Sequence, residues 1–112
     1  MSESLGYQIY ICQPAQRSFR KLEKSERTIA RELIRPLKKD PRPVGCESVE
    51  GYDRILRVKR QDIRVIYSVA DLQRFVIIID VRRRDKDTYK NIPIGSLELA
   101  LKQAITVLKK NV

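Results

Sequence analysis

The sequence predicts an α+β fold: a small, mainly antiparallel sheet of about four strands, with an N-terminal helical hairpin packed on one face and a C-terminal helix. Two runs of alternating apolar residues, Ile55–Tyr67 and Phe75–Arg82, predict the centre of the sheet. Apolar residues at helical spacing precede and follow these runs, which predicts helices on both sides of them. The chain has 112 residues, of which 42% are hydrophobic, so we expect one domain with a single core.

The N-terminal part predicts one strand and two helices. Tyr7–Cys12 alternates and is followed by Pro14, which indicates a short strand that gives way to a helix. Ser25 is the expected N-cap of a second helix, and Pro36 predicts a kink or an early end there. The apolar stripes of the two helices are Ala15, Phe19 and Leu22, then Ile29, Ala30, Leu33, Ile34 and Leu37.

The central runs predict strands with one apolar face and one basic face, because successive side chains of a strand point to opposite sides. The expected core set is Leu56, Val58, Ile63, Val65, Tyr67, Val69, Phe75, Ile77, Ile79 and Val81. The opposite parity holds Arg57, Lys59, Arg64, Asp80 and Arg82, beside Val76 and Ile78. We therefore expect the helical hairpin to cover the apolar face and the basic face to meet solvent.

A last helix is predicted after Pro93 and Gly95, which interrupt the pattern. Ser96 is its expected N-cap. Its apolar stripe consists of Leu97, Leu101, Ala104, Ile105 and Leu108.

The charge of the chain points to a polyanionic partner. Twenty-four Lys and Arg against 14 Asp and Glu give a formal net charge of +10, a field that concentrates nucleic acid or acidic protein. Cys12 and Cys46 are too few for a disulfide framework or a structural zinc site. The N-terminus has no signal-peptide pattern and no apolar run is long enough to span a bilayer, so we expect a cytoplasmic protein without a membrane partner.

The residue types exclude several kinds of catalysis. The sequence has no His and no Gly-rich phosphate loop, so neither Ser-His nor Cys-His pairs exist. Asp80, Asp85 and Asp87 alternate with basic residues and are expected to be solvated charges, without a metal or other cofactor. The remaining candidates are expected on one face and at one end of the sheet: Arg57, Lys59, Arg60, Arg64, Arg82, Arg83, Arg84 and Tyr89. Such a group predicts polyanion binding, and an ordinary solvated face is the alternative.

Element order and local residues together resemble the RelE/ParE toxin superfamily. The matching features are a helix that begins at Pro14, the loop Asp40–Pro43, the strand Ile63–Tyr67, and Arg84 followed by Tyr89. The resemblance spans about residues 7 to 91. It implies one RelE-like toxin domain over 1–112, with 93–112 as a C-terminal helical extension.

The resemblance to the RelE branch implies a ribosome-dependent endoribonuclease that cuts mRNA in the A site by attack of the 2′-hydroxyl on the neighbouring phosphate. The catalytic residues it implies are Arg57, Lys59, Arg64, Arg84 and Tyr89, and the RNA-binding residues are Arg54, Arg60, Arg82, Arg83 and Lys86. Cations stabilise the phosphorane, and Tyr89 stacks on or orients a base. Ile55 stands where some relatives have a further Lys, which leaves Lys59 as the candidate base.

The resemblance also implies partners and leaves alternatives. The implied partners are the ribosome, mRNA and a cognate acidic, RelB-like antitoxin, which covers the basic face or displaces the last helix in a possible heterotetramer. The ParE branch implies instead a non-enzymatic inhibitor of DNA gyrase. A non-toxic basic nucleic-acid-binding module is the third possibility.

Overall fold

The computed structural model describes the backbone of residues 6–110 and the side chains of residues 6–103. Its elements are β1 (Gln8–Ile11), α1 (Gln13–Lys21), α2 (Lys24–Ile34), a 3₁₀ helix (Arg35–Lys38), β2 (Glu47–Ser48), β3 (Leu56–Arg60), β4 (Ile63–Ala70), β5 (Phe75–Arg83) and α3 (Ile94–Lys110). Within this described part the strands form one five-stranded sheet in the order β1-β5-β4-β3-β2. β1 runs parallel to β5, and the other neighbours are antiparallel. The predicted fold class is confirmed, and the additional strand is β2, which at two residues is too short to give a periodic signal.

The helix boundaries differ from the predicted caps. Glu23 is the N-cap of α2, because its side chain accepts the Glu26 backbone N–H while the Glu26 carboxylate accepts the Glu23 N–H at 2.9 Å. The prediction that Ser25 caps this helix was therefore wrong. α3 begins at Ile94, so Ser96 lies within its first turn and is not its cap. The effect of Pro36 was predicted correctly, since α2 ends at Ile34 and the chain continues as a 3₁₀ helix.

The helical hairpin buries one face of the sheet. The three helices contribute Ala15, Ala30 and Leu37 to the first core cluster, and the connection between α1 and α2 contributes Leu22. The sheet contributes Val58, Ile63, Val65, Tyr67, Val76, Ile78 and Val81. The inward parity predicted for β3 and β4 is thus the one observed.

The other face is also partly buried, which the sequence prediction missed. Leu97 and Ala100 of α3 pack in a second cluster with residues of β4 and β5, with residues next to β1, β2 and β3, and with Ile92 of the segment before α3. The sheet side of this cluster includes Ile66, Ala70, Phe75, Ile77 and Ile79. β5 is consequently buried on both faces along most of its length. The end of the sheet nearest Arg60 and Ile63 presents a basic surface on this side, where Lys59 is exposed. The side chains of Ala104, Ile105 and Leu108, assigned to the α3 stripe, lie outside the described residues.

A β-bulge explains why the parity predicted for β5 was wrong. Ile66 pairs with Asp80 and Tyr67 with Ile78, so Ile79 is an extra residue on β5. One extra residue reverses which parity faces which side. Val76 and Ile78 therefore face the hairpin before the bulge, Val81 faces it after the bulge, and Phe75, Ile77 and Ile79 face α3.

Candidate functional site: a basic end of the sheet

Three cations lie side by side across three neighbouring strands, on the sheet face that α3 partly covers. Lys59 of β3 pairs with Arg64 of β4, and Arg64 pairs with Arg82 of β5. Residues opposite each other in a sheet project to the same side with Cβ atoms about 5 Å apart. We call Lys59, Arg64 and Arg82 the cationic row. Arg57 lies on the same face two residues before Lys59.

Arg64 is the fixed centre of the cationic row. It is 8% exposed, and its Nη1 donates to the carbonyl oxygens of Gln61 at 2.7 Å and Ile63 at 3.1 Å. Gln61 lies in the β3–β4 turn with φ of 53°, a left-handed conformation that costs a non-glycine residue about 1 kcal/mol. A guanidinium has five N–H donors. Those on Nε and Nη2 make no hydrogen bond within the described part of the chain, and neither atom is completely buried.

Lys59, Arg84 and Lys86 are exposed cations around this centre. None of the three side chains forms an ion pair with a described residue. Arg84 follows β5, and its backbone N–H donates to the carbonyl oxygen of Asp62 at 2.7 Å, which fixes it beside the β3–β4 turn. These groups, together with the free N–H groups of Arg64, are available to an anion.

Arg57 is held from two sides. Its Nη2 lies 2.7 Å from Oε1 of Glu47, and its guanidinium lies over the Tyr89 ring, 5.0 Å from the centroid. The Arg57 side chain is 19% exposed, whereas that of Glu47 is 54% exposed. Glu47 reaches this position because the two-residue strand β2 pairs it with Arg57. Sequence reasoning missed Glu47, since nothing in its neighbourhood marks so short a strand.

Tyr89 is half-buried against the second core cluster. Its hydroxyl is buried without a hydrogen-bond partner among the described residues. Arg57 covers one face of its ring. The ring is thus part of the floor beneath Arg57, and its hydroxyl is not presented to a ligand.

Asp80 and Arg82 form an internal clamp, which corrects two sequence assignments. Asp80 is 7% exposed and accepts hydrogen bonds from Ser18 Oγ at 2.6 Å, from the Val81 N–H and from Arg82 Nε, both at 2.9 Å. It is therefore a buried, satisfied carboxylate and not a solvated charge. Arg82 donates further to the carbonyl oxygens of Thr88, Lys90 and Asn91 at 2.8, 2.5 and 3.1 Å. The clamp holds the segment that carries Arg84 and Tyr89 against the sheet.

Three further arginines that were predicted to bind RNA, Arg54, Arg60 and Arg83, lie away from the cationic row. Arg60 and Arg83 project to the hairpin face, where each lies 2.7 Å from a carboxylate of α2, Glu32 and Glu26 respectively. Arg83 in this way lowers the pKa of Glu26 to about 2. Arg54 precedes β3 at the other end of the sheet and is exposed, 3.8 Å from Asp53. The prediction that Arg60 and Arg83 share the basic face was wrong, because strand alternation turns them to the opposite side.

The described residues contain no cluster of three or more metal-ligating side chains. None of the helices within residues 6–110 combines the length and the apolar character needed to cross a membrane. The functional groups at the site are cations and the carboxylate of Glu47. Cations of this kind can bind the negatively charged oxygens of a phosphodiester.

Comparisons with known proteins give matches in structure and not in sequence. No protein-family model matches the chain, and no curated protein matches it significantly. A free, doubly mutated form of the Escherichia coli toxin RelE superposes with a TM-score of 0.65 at 18% identity, covering 84% of this chain and 97% of that one. The archaeal RelE–RelB complex from Pyrococcus horikoshii OT3 gives 0.63 at 23% identity, covering 73% and 99%. The toxin–antitoxin complex RelBE2 from Mycobacterium tuberculosis gives 0.63 at 18% identity, covering 75% and 98%. The chain has the fold of the RelE toxins.

Proposed function

We propose that this protein is the toxin of a bacterial type II toxin–antitoxin system and cleaves mRNA in the ribosomal A site. The observation that supports this most is the cationic row with its exposed neighbours, centred on an Arg64 whose outer N–H groups are unsatisfied. A phosphodiester placed there accepts hydrogen bonds from a pre-positioned guanidinium. Preorganised donors of this kind stabilise the negative charge that grows on a phosphorane.

The proposed reaction is transfer of the phosphate to the neighbouring ribose hydroxyl. The 2′-oxygen attacks phosphorus, the P–O5′ bond breaks, and the products are a 2′,3′-cyclic phosphate and a 5′-hydroxyl. Arg64 and Lys59 stabilise the equatorial oxygens, and Arg84 donates a hydrogen bond to the leaving oxygen, which takes its proton from solvent. Arg57 and Tyr89 support the site from below.

Glu47 is the residue that we propose as general base. A carboxylate accepts a proton, whereas the ammonium group of Lys59 has no acceptor capacity. Glu47 is half-exposed at the edge of the site, and its contact with Arg57 orients it. We therefore assign the role of general base to Glu47 in place of Lys59, which the sequence had suggested. Lys59 keeps an electrostatic role.

Programmed ribosomes test this proposal. Purified protein is incubated with ribosomes holding a defined message, and the new 5′ ends are mapped by primer extension. Arg64→Ala is expected to slow cleavage by about 100-fold or more, as loss of a transition-state donor does. Arg60→Ala is the matched control, because Arg60 is next to Lys59 in sequence but lies on the other face, paired with Glu32. Equal rates for the two variants, or an intact message with the unmodified protein, would refute the proposal.

A non-enzymatic inhibitor of DNA gyrase is the second candidate. Two features favour it. The sequence has no His, and the guanidinium of Arg57 already contacts Glu47 and the Tyr89 ring, so it is less available to a substrate. This candidate predicts inhibited supercoiling and intact mRNA from one preparation. Normal growth of cells that express the protein alone would favour the third reading, a non-toxic basic binding module.

The proposed system includes an acidic antitoxin and a cytoplasmic location with the ribosome. The solved complexes with RelB make such a partner the natural candidate, and it would neutralise the cationic row. An amphipathic helix of the antitoxin would cover the basic face or displace α3, whose Leu97 and Ala100 pack against the sheet. Co-purification with the product of the neighbouring open reading frame tests this; recovery of this chain alone contradicts it. The mass of the complex decides whether it is a heterotetramer.

A further inference from the structure

The last part of β5 has no strand on its outer side within the described part of the chain. β1 pairs only with residues 75–78 of β5, whereas β5 continues to Arg83. The Cys12 N–H donates to the carbonyl oxygen of Ile78 at 2.9 Å, and α1 begins at the next residue, Gln13. The edge of β5 is therefore open from the point at which α1 begins.

Asp80 takes the place of a neighbouring strand at this open edge. Its Oδ1 accepts hydrogen bonds from the Val81 N–H at 2.9 Å and from Ser18 Oγ of α1 at 2.6 Å. Its Oδ2 accepts a hydrogen bond from Arg82 Nε at 2.9 Å. Both oxygens of this buried carboxylate are engaged, as the burial of a charge requires. Asp80 therefore links the position of α1 to that of the Arg82 side chain.

Arg82 extends this link to the segment that carries the exposed cations after β5. Its guanidinium donates to three carbonyl oxygens within residues 88–91. The backbone N–H of Arg84 is tied to the β3–β4 turn, and the course of the chain from there to Tyr89 depends on where residues 88–91 are held. Arg64, in contrast, is fixed by carbonyl oxygens of its own turn and does not depend on this link.

A groove of about 540 Å³ lies between α1 and this segment. Ser18 and Lys21 line it from α1, and Asp85 and Thr88 line it from the segment. Side chains do not fill this space, so the hydrogen bonds of Asp80 are a connection between its two sides that packing does not replace.

We propose that Ser18 is a positioning residue for the cleavage reaction. Its hydroxyl is bound to Asp80 and is not directed to a substrate. It acts by orienting Asp80, which orients Arg82, and Arg82 sets the segment that presents Arg84 to the leaving oxygen. A displacement of about 1 Å can slow a reaction by about 100-fold, so a residue outside the site can control its rate. The inference rests on the proposed ribonuclease function.

Ser18→Ala removes one hydrogen bond and is the mildest way to test this link. On programmed ribosomes we expect kcat to fall by about tenfold and KM to change by less than about threefold, because Arg64 and Lys59 still bind the phosphate. Ser18→Thr keeps the hydroxyl and should restore kcat to within about threefold of that of the unmodified protein. Ser25→Ala is the matched control, because Ser25 is exposed on α2 and its hydroxyl forms no hydrogen bond with a described residue. Equal kcat values for Ser18→Ala and Ser25→Ala would overturn the proposal.

The route through Arg82 has a test of its own. In the Arg82→Gln background, Ser18→Ala should lower kcat by less than about twofold, since two residues that act through one another are not additive. A further tenfold loss would show that Ser18 acts by another route, and it would overturn the proposal.

An NMR comparison separates this inference from the proposed function, because it needs no ribosome. Ser18→Ala should shift and broaden the backbone amide signals of residues 84–89, whereas Ser18→Thr and Ser25→Ala should leave them in place. An intact message with the unmodified protein would refute the ribonuclease proposal, and shifted signals would then still support the link from Ser18 to this segment. Unchanged signals of residues 84–89 in Ser18→Ala would refute the positioning role itself.

Discussion

Replacing Arg82 with Gln should destabilise the protein by about 3 kcal/mol, because Arg82 is an internal clamp and not a ligand-binding residue. Its side chain is 20% exposed and that of Asp80 only 10%. The variant leaves the Asp80 carboxylate without its cation and removes the donors to Thr88, Lys90 and Asn91.

The magnitude follows from the burial of the pair. Removing one partner of a buried ion pair costs about 3–5 kcal/mol, and the partial exposure of Arg82 places this case at the lower end. Total stabilities of native proteins are about 5–15 kcal/mol, so the loss is a large part of the whole. For a chain of this length the same loss corresponds to a decrease in Tm of about 12 °C.

Urea unfolding followed by circular dichroism measures the effect. Arg84→Gln is the matched control, since it removes the same charge two residues later from an exposed side chain, and it should change stability by less than about 0.5 kcal/mol. A double-mutant cycle with Asp80→Asn should give a coupling energy above about 1 kcal/mol. If the Arg82 and Arg84 variants unfold at the same urea concentration, the clamp does not hold the segment and the assignment of Arg82 to RNA binding regains support.

Three further predictions concern single side chains. Tyr89→Phe should keep or raise stability by up to about 1 kcal/mol in urea unfolding, because it removes a buried hydroxyl without a partner; a clear loss would show that the hydroxyl is hydrogen-bonded. Hydrogen bonds from Arg83 lower the pKa of Glu26 from about 4.5 to about 2, so this contact stabilises the protein above pH 4.5 and its contribution is lost as the pH falls towards 2. An NMR titration of Arg83→Gln should show the Glu26 pKa returning towards its ordinary range, and an unchanged value would contradict the cause. Burial raises the pKa of Cys12 to about 11, so in a Cys46→Ser variant iodoacetamide at pH 8 should modify Cys12 only after unfolding; rapid native-state modification would contradict its burial.

The alternation of apolar residues in strands and their helical periodicity were sufficient to predict most of the fold. β3 and β4 have one apolar parity that faces a single layer, so their side chains could be assigned from the sequence. β5 could not be assigned in this way, because both of its faces are buried and its alternation carries little information. Ile79 then adds an unpaired residue with no local mark, since a bulge depends on the partner strand as well as on the strand that contains it.

The candidate site was predictable in residue type and only partly in geometry. Arg82 and Arg84 share a parity and a charge, yet the first is bound to backbone carbonyls and the second is exposed. That difference is set by the path of residues 88–91, which no local pattern encodes. Glu47 likewise reaches the site because β2 pairs it with Arg57 of β3. This pairing could not be predicted, because β2 is too short to show a sequence pattern.

The parallel pairing of β1 with β5 has a consequence for the timing of assembly. Gln8 lies opposite Phe75, so this edge of the sheet closes only after β5 has been made. Sheets that join distant segments fold slowly, because a long loop must close before its contacts form. The fixing of residues 88–91 by Arg82 comes later still in synthesis. A newly made copy therefore completes its basic end only after residues 88–91 have been made, later than the strands β3 and β4 that carry Lys59 and Arg64.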